Sequence, residues 1–344
     1  MSQESSGPYY ELRVSRVVEE TPDSKSIVLE IPEALRETFA YKAGQFLSFR
    51  VEVDGHRLVR CYSLASSPDT DPEHKVTVKR VLEGRASNWM NEHVRPGDVL
   101  EVMHPTGVFC LHEERETPIV LFGGGSGITP IISILKSALA TTSRPIKLLY
   151  ANRDEPSIIF RDELAALQAA HPDRLEVEHR LDDRHGFVDD ATVVREVGPR
   201  TDADFYICGP GPFMDVVEKA LAGLGIAEGQ IFIERFESPS EGSVQGPALD
   251  ASEGTTVTVR LDGEETDVVV AEGETILAAA RRVGLEPPFA CEEAYCGCCM
   301  ARVVEGEVDM LMNDGGIDQK QIEDGWVLTC QGIPRSPARV EYPD

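Results

Sequence analysis

Four cysteines near the C-terminus constrain this chain more than any other feature: Cys291-x4-Cys296-x2-Cys299, then thirty residues before Cys330. A tight thiolate triplet plus one distant thiolate is the plant-type [2Fe–2S] spacing. Two irons each need two thiolates, so one loop must wrap the cluster while a remote segment folds back to supply Cys330. Structural zinc sites use two short Cys pairs or Cys/His pairs, which one triplet plus one does not match. Cys298 lies between two ligands, and shifting the set onto it would break the x2 spacing. It therefore reads as a small packing residue.

At 344 residues the chain is long enough for two or three domains. Its formal net charge of −27 disfavours nucleic acid and anionic membrane surfaces as partners. It aids solubility and suits docking on a basic patch of another protein. Met1–Tyr10 is polar and lacks the basic and apolar regions of a signal peptide. The apolar run Thr117–Leu135 is interrupted by four glycines and Pro130, so it reads as strand, loop and helix rather than a membrane span. A cytoplasmic location is expected. Eight cysteines there point to metal or redox chemistry rather than structural disulfides.

Residues 7–114 are mostly β in pattern, with runs at Gln45–Val53 and Lys75–Val81 and turn signals at Val53-Asp54-Gly55 and Arg95-Pro96-Gly97-Asp98. Frequent strands with few helical stretches predict a small antiparallel barrel. Residues 115–236 alternate: a strand at Pro118–Phe122, helix at Pro130–Leu139, strand at Lys147–Tyr150, helix at Arg161–Ala170 and strand at Asp204–Cys208. That alternation predicts a parallel sheet with crossover connections. Residues 237–254, rich in Ser, Gly, Pro and acids, read as a linker. In 255–344 a hairpin, Thr255–Leu261 with Thr266–Ala271 around Asp262-Gly263, precedes a helix over Thr275–Val283 stopped by Gly284.

Two glycine-bearing loops fall where such a sheet binds ligands. Leu121-Phe122-Gly123-Gly124-Gly125-Ser126-Gly127-Ile128-Thr129-Pro130 joins a strand to a helix. Glycines admit a phosphate to the backbone, the helix N-terminus offers free N–H groups, and Pro130 suits the first helical position. It is not the Gly-x-Gly-x-x-Gly fingerprint. Cys208-Gly209-Pro210-Gly211-Pro212-Phe213-Met214 follows a second strand, and both loops belong at strand carboxyl ends, which define one crevice. In the β region, Arg60-Cys61-Tyr62-Ser63-Leu64 supplies a guanidinium for pyrophosphate, a ring to stack on a heterocycle and a hydroxyl for a ring edge. Gly84-Arg85-Ala86-Ser87-Asn88, after Val78-Lys79-Arg80, reads as a loop and helix start suited to an anion.

Together these motifs resemble the ferredoxin–NADP reductase-like flavoproteins that carry a fused C-terminal plant-type ferredoxin domain. The resemblance covers nearly the whole chain, with three independent motifs in the family's order. Within the family the likeness is to reductase components of 3-ketosteroid 9α-hydroxylase and phenylacetyl-CoA epoxidase systems. It implies a flavin β-barrel, an α/β nucleotide domain and an α+β ferredoxin domain of β-grasp type. It implies FAD contacts from Arg60, Cys61, Tyr62, Ser63, Val78, Lys79, Gly84, Ala86, Ser87 and Phe236. The nicotinamide cofactor would meet Gly124, Gly125, Ser126, Gly127, Thr129, Asn152, Arg153, Cys208, Gly209, Pro210 and Met214. Tyr62, Ser63 and Cys208 would lie nearest the reacting atoms, with no acid–base pair required. The cluster ligands would be Cys291, Cys296, Cys299 and Cys330.

The implied route is NADH to FAD to the cluster to a terminal oxygenase, a Rieske-type hydroxylase such as 3-ketosteroid 9α-hydroxylase. A di-iron monooxygenase, or a general acceptor such as a soluble carrier or quinone, is the alternative. A non-catalytic redox sensor would not need the flavin and nicotinamide motifs. Arg153 could serve a 2′-phosphate, but Asp154 and Glu155 adjoin it and would repel that group, which favours NADH over NADPH. Residues 255–344 hold seven basic and eighteen acidic residues, net −11, which suits a partner with a basic docking patch. Two positions depart from the family pattern. Glu292 replaces an arginine and Ala294 a glycine, and Ala294 is tolerable if its φ is negative.

Overall fold

The computed structural model describes residues 9–236, 254–289, 292, 294, 296–313 and 316–343. The expected linker, apart from Gly254, and the first expected cluster ligand, Cys291, lie outside the described residues.

The first block holds β1 (Tyr9–Thr21), β2 (Ser24–Glu30), β3 (Phe46–Val53), β4 (His56–Ser63), β5 (His74–Lys79), α1 (Arg85–His93) and β6 (Val99–Met103). Its strands pair in the order β4-β3-β6-β1-β2-β5. A bridge between Leu64 and Val76 joins the two edges, closing the sheet into the expected barrel. Alternating inward residues, including Leu12, Ile27, Leu47, Phe49 and Val76, fill it. Asp54 and Gly55 both take positive φ in the two-residue turn between β3 and β4, whose twist matches the strands.

The second block runs β7 (Ile119–Gly124), α2 (Ile128–Thr141), β8 (Ile146–Asn152), α3 (Arg161–Ala170), β9 (Leu175–Leu181), α4 (Asp182–His185), α5 (Asp190–Val197), β10 (Asp204–Gly209), α6 (Gly211–Gly223) and β11 (Ile231–Arg235). All strands are parallel, in the order β11-β10-β7-β8-β9. The chain leaves β7 toward β8 on one side, while β10 lies on the other. The carboxyl ends of β7 and β10 therefore form the switch-point crevice. The strand after Thr117 includes Gly123 and Gly124, so it is longer at its glycine end than expected. Pro130 is the third residue of α2 rather than the first. It is harmless there because first-turn N–H groups have no intrahelical partner. The apolar run Thr117–Leu135 thus divides into strand, turn and helix. Among the described residues no helix is long and apolar enough to cross a membrane.

The third block holds β12 (Thr255–Leu261), β13 (Glu264–Val270), α7 (Ile276–Arg282), β14 (Met300–Glu305), β15 (Val308–Met310), α8 (Gln319–Glu323), β16 (Trp326–Leu328), β17 (Gly332–Pro334) and β18 (Ala338–Glu341). Its five-stranded sheet, β13-β12-β18-β14-β16, is mixed, with β12 and β18 parallel. Ile276 and Ala279 of α7 pack on that sheet, the α+β arrangement expected. The hairpin turn is tighter than expected, because Asp262 and Gly263, both at positive φ, suffice to connect Leu261 to Glu264. Thr275 caps α7 by accepting a hydrogen bond from the Ala278 N–H at 3.3 Å.

Candidate functional site

The crevice is built by backbone lying on backbone. A Cβ at Gly127 would sit 2.1 Å from the Cys208 carbonyl oxygen, and one at Gly124 would sit 2.8 Å from the Pro210 ring. The glycines are therefore what lets the loops after β7 and β10 close on each other. Gly125 takes φ +51, and its carbonyl accepts from the Tyr150 hydroxyl at 2.9 Å. Thr129 donates to the Ser126 carbonyl at 3.1 Å, pinning the turn from within. The buried Asn152 amide has no partner meeting hydrogen-bond geometry. Such an orphan fits a polar ligand beyond the strand ends.

The barrel meets this crevice. A Cβ on Gly125 would lie 3.8 Å from Lys79 Nζ, so Lys79 stands against the glycine turn. Asp23, which sequence reasoning missed, lies 3.9 Å from Lys79 Nζ and 3.0 Å from Arg153 Nη2. Its neighbours hold its carboxyl below the ordinary range, hydrogen bonding from Thr21 and the charges of Lys79 and Arg153 outweighing desolvation. Desolvation lowers Lys79. On β4, Tyr62 packs edge-on to Phe49, with ring centres 5.8 Å apart. Arg60 bonds the Val59 carbonyl at 2.8 Å. The Ser63 hydroxyl is buried without a partner, again the mark of a group awaiting a ligand.

Several expected contacts take another form. Val78 and Ala86 are core residues of the barrel, so only their backbone could face FAD. Ser87 accepts from the Val81 N–H at 3.2 Å, and Gly84 is the N-cap of α1 with no side-chain cap, which leaves first-turn N–H groups for an anion. Met214 is fully buried in the core beneath the sheet; it supports the crevice rather than lining it. Phe236 is exposed at 41%. The buried group there is Glu234, paired in register with Cys208 across β10 and β11. Burial raises Glu234 to about 8, and its Oε2 has no partner. Burial, and then the Glu234 charge, pushes the Cys208 thiol up. Sequence reading passed over this carboxylate. The signal available was a single acid following an apolar run, Ile231-Phe232-Ile233.

Of the expected cluster ligands, Cys296, Cys299 and Cys330 are buried in one apolar cluster. Among the described residues, no three Cys, His, Asp or Glu groups converge on a single-ion position. The Thr329 N–H and hydroxyl both donate to the Cys299 carbonyl, at 3.1 and 2.8 Å, and Tyr342 donates to Thr329 at 2.8 Å. These bonds tie the Cys330 segment to the Cys299 turn. A water-excluding loop with buried sulfurs from two segments fits a two-iron cluster. The same apolar cluster includes Tyr9, Phe46, Val59 and Met103 of the barrel, so the loop is seated on the flavin-side block.

The condition placed on Ala294 is not met. Ala294 has φ +64 and Glu292 has φ +55, each left-handed and each costing a non-glycine residue about 1–2 kcal/mol. Glu292 is also less of a bare charge than the sequence implied. Arg281 pairs with it at 2.8 Å while lying 4.1 Å from the centre of the Phe289 ring.

Comparison with known proteins agrees with this geometry. Residues 11–110 match the oxidoreductase FAD-binding domain, 121–219 the oxidoreductase NAD-binding domain, and 259–335 the 2Fe-2S iron-sulfur cluster binding domain. The chain is 43% identical over 330 residues, 94% of its length and 93% of the relative's, to the ferredoxin reductase component of 3-ketosteroid-9-alpha-monooxygenase of Rhodococcus rhodochrous. It is 35% identical to one of the subunits of 1,2-phenylacetyl-CoA epoxidase of Escherichia coli strain K12, over 95% of both chains. Among solved structures it is similar to phthalate dioxygenase reductase, with a TM-score of 0.59, 25% identity and 97% of both chains covered.

Proposed function

The chain belongs to the family of oxygenase-component reductases that fuse FAD, NAD and [2Fe–2S] domains, and on that footing we propose how its own residues serve electron transfer from NADH to a terminal oxygenase. When bound, FAD accepts a hydride and the cluster accepts electrons one at a time, so the protein's part is binding, orientation and exclusion of water. The observation that carries the reading is the double use of β4. Successive residues point to opposite faces of a strand: Tyr62 packs on Phe49, and Cys61 touches Cys298 of the cluster loop. One strand thus stands between the flavin side and the cluster.

Arg60, with the α1 N-terminus, would hold the FAD pyrophosphate, Tyr62 would pack against the isoalloxazine, and Ser63, whose hydroxyl is buried without a partner, would bond the ring edge. The Gly125–Thr129 turn receives the dinucleotide's phosphates and Asn152 a polar edge beyond β8. Arg153 is already engaged by Asp23 at 3.0 Å, which leaves it a poor host for a 2′-phosphate and supports NADH. Cys208 and Glu234 floor the nicotinamide end. With Glu234 raised to about 8, that floor is neutral at pH 7 and its carboxyl can donate a hydrogen bond. Cys291, Cys296, Cys299 and Cys330 hold the cluster.

The acceptor we favour is the oxygenase of a 3-ketosteroid 9α-hydroxylating system, after the Rhodococcus relative. The epoxidase relative supports a di-iron oxygenase as the second reading. The acidic iron–sulfur module, net −11, suits a basic docking patch on that partner. The test is anaerobic titration with NADH, in which flavin and cluster bands should both bleach, followed by transfer to each purified oxygenase. A cluster that stays oxidised sinks the electron path. Transfer that does not slow as salt is raised sinks the basic-patch reading.

A further inference from the structure

Cys61 and Cys298 are not among the four expected ligands, yet their sulfurs lie 3.7 Å apart across 237 positions of sequence. Both thiols are unbridged. The fully buried Ser48 places its hydroxyl 3.2 Å from Cys61 Sγ and 3.1 Å from Cys298 Sγ. Packing alone asks for a small group at each position; it does not ask for sulfur at both with a hydroxyl shared between them. A disulfide needs about 2.05 Å, so the sulfurs must close by about 1.7 Å, a side-chain-scale movement. A cleft between barrel and iron–sulfur module reaches Cys298. Tyr9, Arg50, Arg57, Met103, Gly297 and Cys298 are among its lining, and Cys298 is only 3% exposed there, which favours a small oxidant over a bulky one.

We propose that Cys61 and Cys298 form a redox modification site, a dithiol that hydrogen peroxide entering this cleft closes to a disulfide, stapling the iron–sulfur module to the flavin barrel. Cys298, which lines the cleft, attacks one peroxide oxygen as the neutral thiol, and its proton passes to the departing oxygen. The O–O bond breaks, one water leaves, and a sulfenic acid remains. The Cys61 sulfur then attacks the Cys298 sulfur, the S–O bond breaks, and the second water carries away the Cys61 proton. Two thiols lose two electrons in total and one peroxide becomes two waters. A dithiol reductant reverses the bond by exchange. The staple fixes the cluster loop against the barrel and leaves residues such as Glu292 and Leu311, which are exposed, free to meet a partner.

The test treats the holoprotein with hydrogen peroxide, blocks remaining thiols, and maps peptides without reduction. The expected result is a Cys61–Cys298 linked peptide while the cluster's visible bands persist. Thiols counted after denaturation should fall from eight per chain to six, and return to eight with dithiothreitol. Cys61→Ser and Cys298→Ser should each abolish the linked peptide and keep all seven remaining thiols; Cys110→Ser should still lose two. Glutathione disulfide, too large for the cleft, should leave all eight. The proposal is overturned if no such peptide forms, if it forms only as the cluster bleaches, if Cys61→Ser still loses two thiols, or if glutathione disulfide cross-links as readily as peroxide.

Discussion

Replacing Glu234 by glutamine should shift the stability of the reductase half of the chain in favour of the variant as pH rises. Burial raises the native carboxyl from 4.5 to about 8. Between those values the native state binds more protons than the unfolded state, so stability falls as pH rises through the window. At about 1.4 kcal/mol per pKa unit, the full penalty above pH 8 is on the order of 5 kcal/mol. At pH 7 it is about 3 kcal/mol, and at pH 5 it is below about 1 kcal/mol. Glutamine cannot ionise and escapes the penalty. Its amide faces the same partnerless setting as Glu234 Oε2, a cost of roughly 1–3 kcal/mol that does not depend on pH. The pH slope is therefore the clean signal. The assay is the melting temperature of wild type and Glu234→Gln from pH 5 to 8.5, followed by flavin release. The difference between the two should change by about 4–8 °C from pH 5 to pH 7, at roughly 2–4 °C per kcal/mol. A difference independent of pH would refute the burial of an unpaired carboxyl.

Gly127→Ala should weaken NADH binding about tenfold or more, measured by titration, while flavin absorbance is retained, because its Cβ would strike the Cys208 backbone at 2.1 Å. Arg144→Met should cost about 1.5–3 kcal/mol in denaturant unfolding, the scale of a hydrogen bond to a charged group, since it removes the fully buried partner of Asp204 and leaves that carboxylate only Arg115 at 2.8 Å; a loss under about 0.5 kcal/mol would show that Arg115 suffices. Asp23→Ala frees Arg153 from its 3.0 Å partner and should improve KM for NADPH relative to NADH by about two- to fivefold, the scale of an exposed pair. Ala294→Val should lose the cluster, read as visible absorbance per protein, because a β-branched residue cannot accept φ +64 in a buried turn.

Much of this protein is local and was therefore readable. Cysteine spacing, glycine loops at strand ends, and the switch from frequent strands to alternating strands and helices each depend on neighbours within a few residues, and each defines a module. What the sequence could not state is which faces those modules turn to one another. Cys298 read as a small packing residue because its partners, Ser48 and Cys61, lie in another module and no local pattern names them. Glu234 stayed hidden because its burial is imposed by β10 beside it, not by its own strand. Met214 looked like a cofactor contact by position in its motif, and α6 turns it into the core. The positive φ of Glu292 and Ala294 likewise runs against the preference of both residue types, so neither residue announces it. Short-range pattern was enough to define the modules and their chemistry. How the cluster loop sits on β4 was settled only in three dimensions, because it depends on packing between residues hundreds of positions apart.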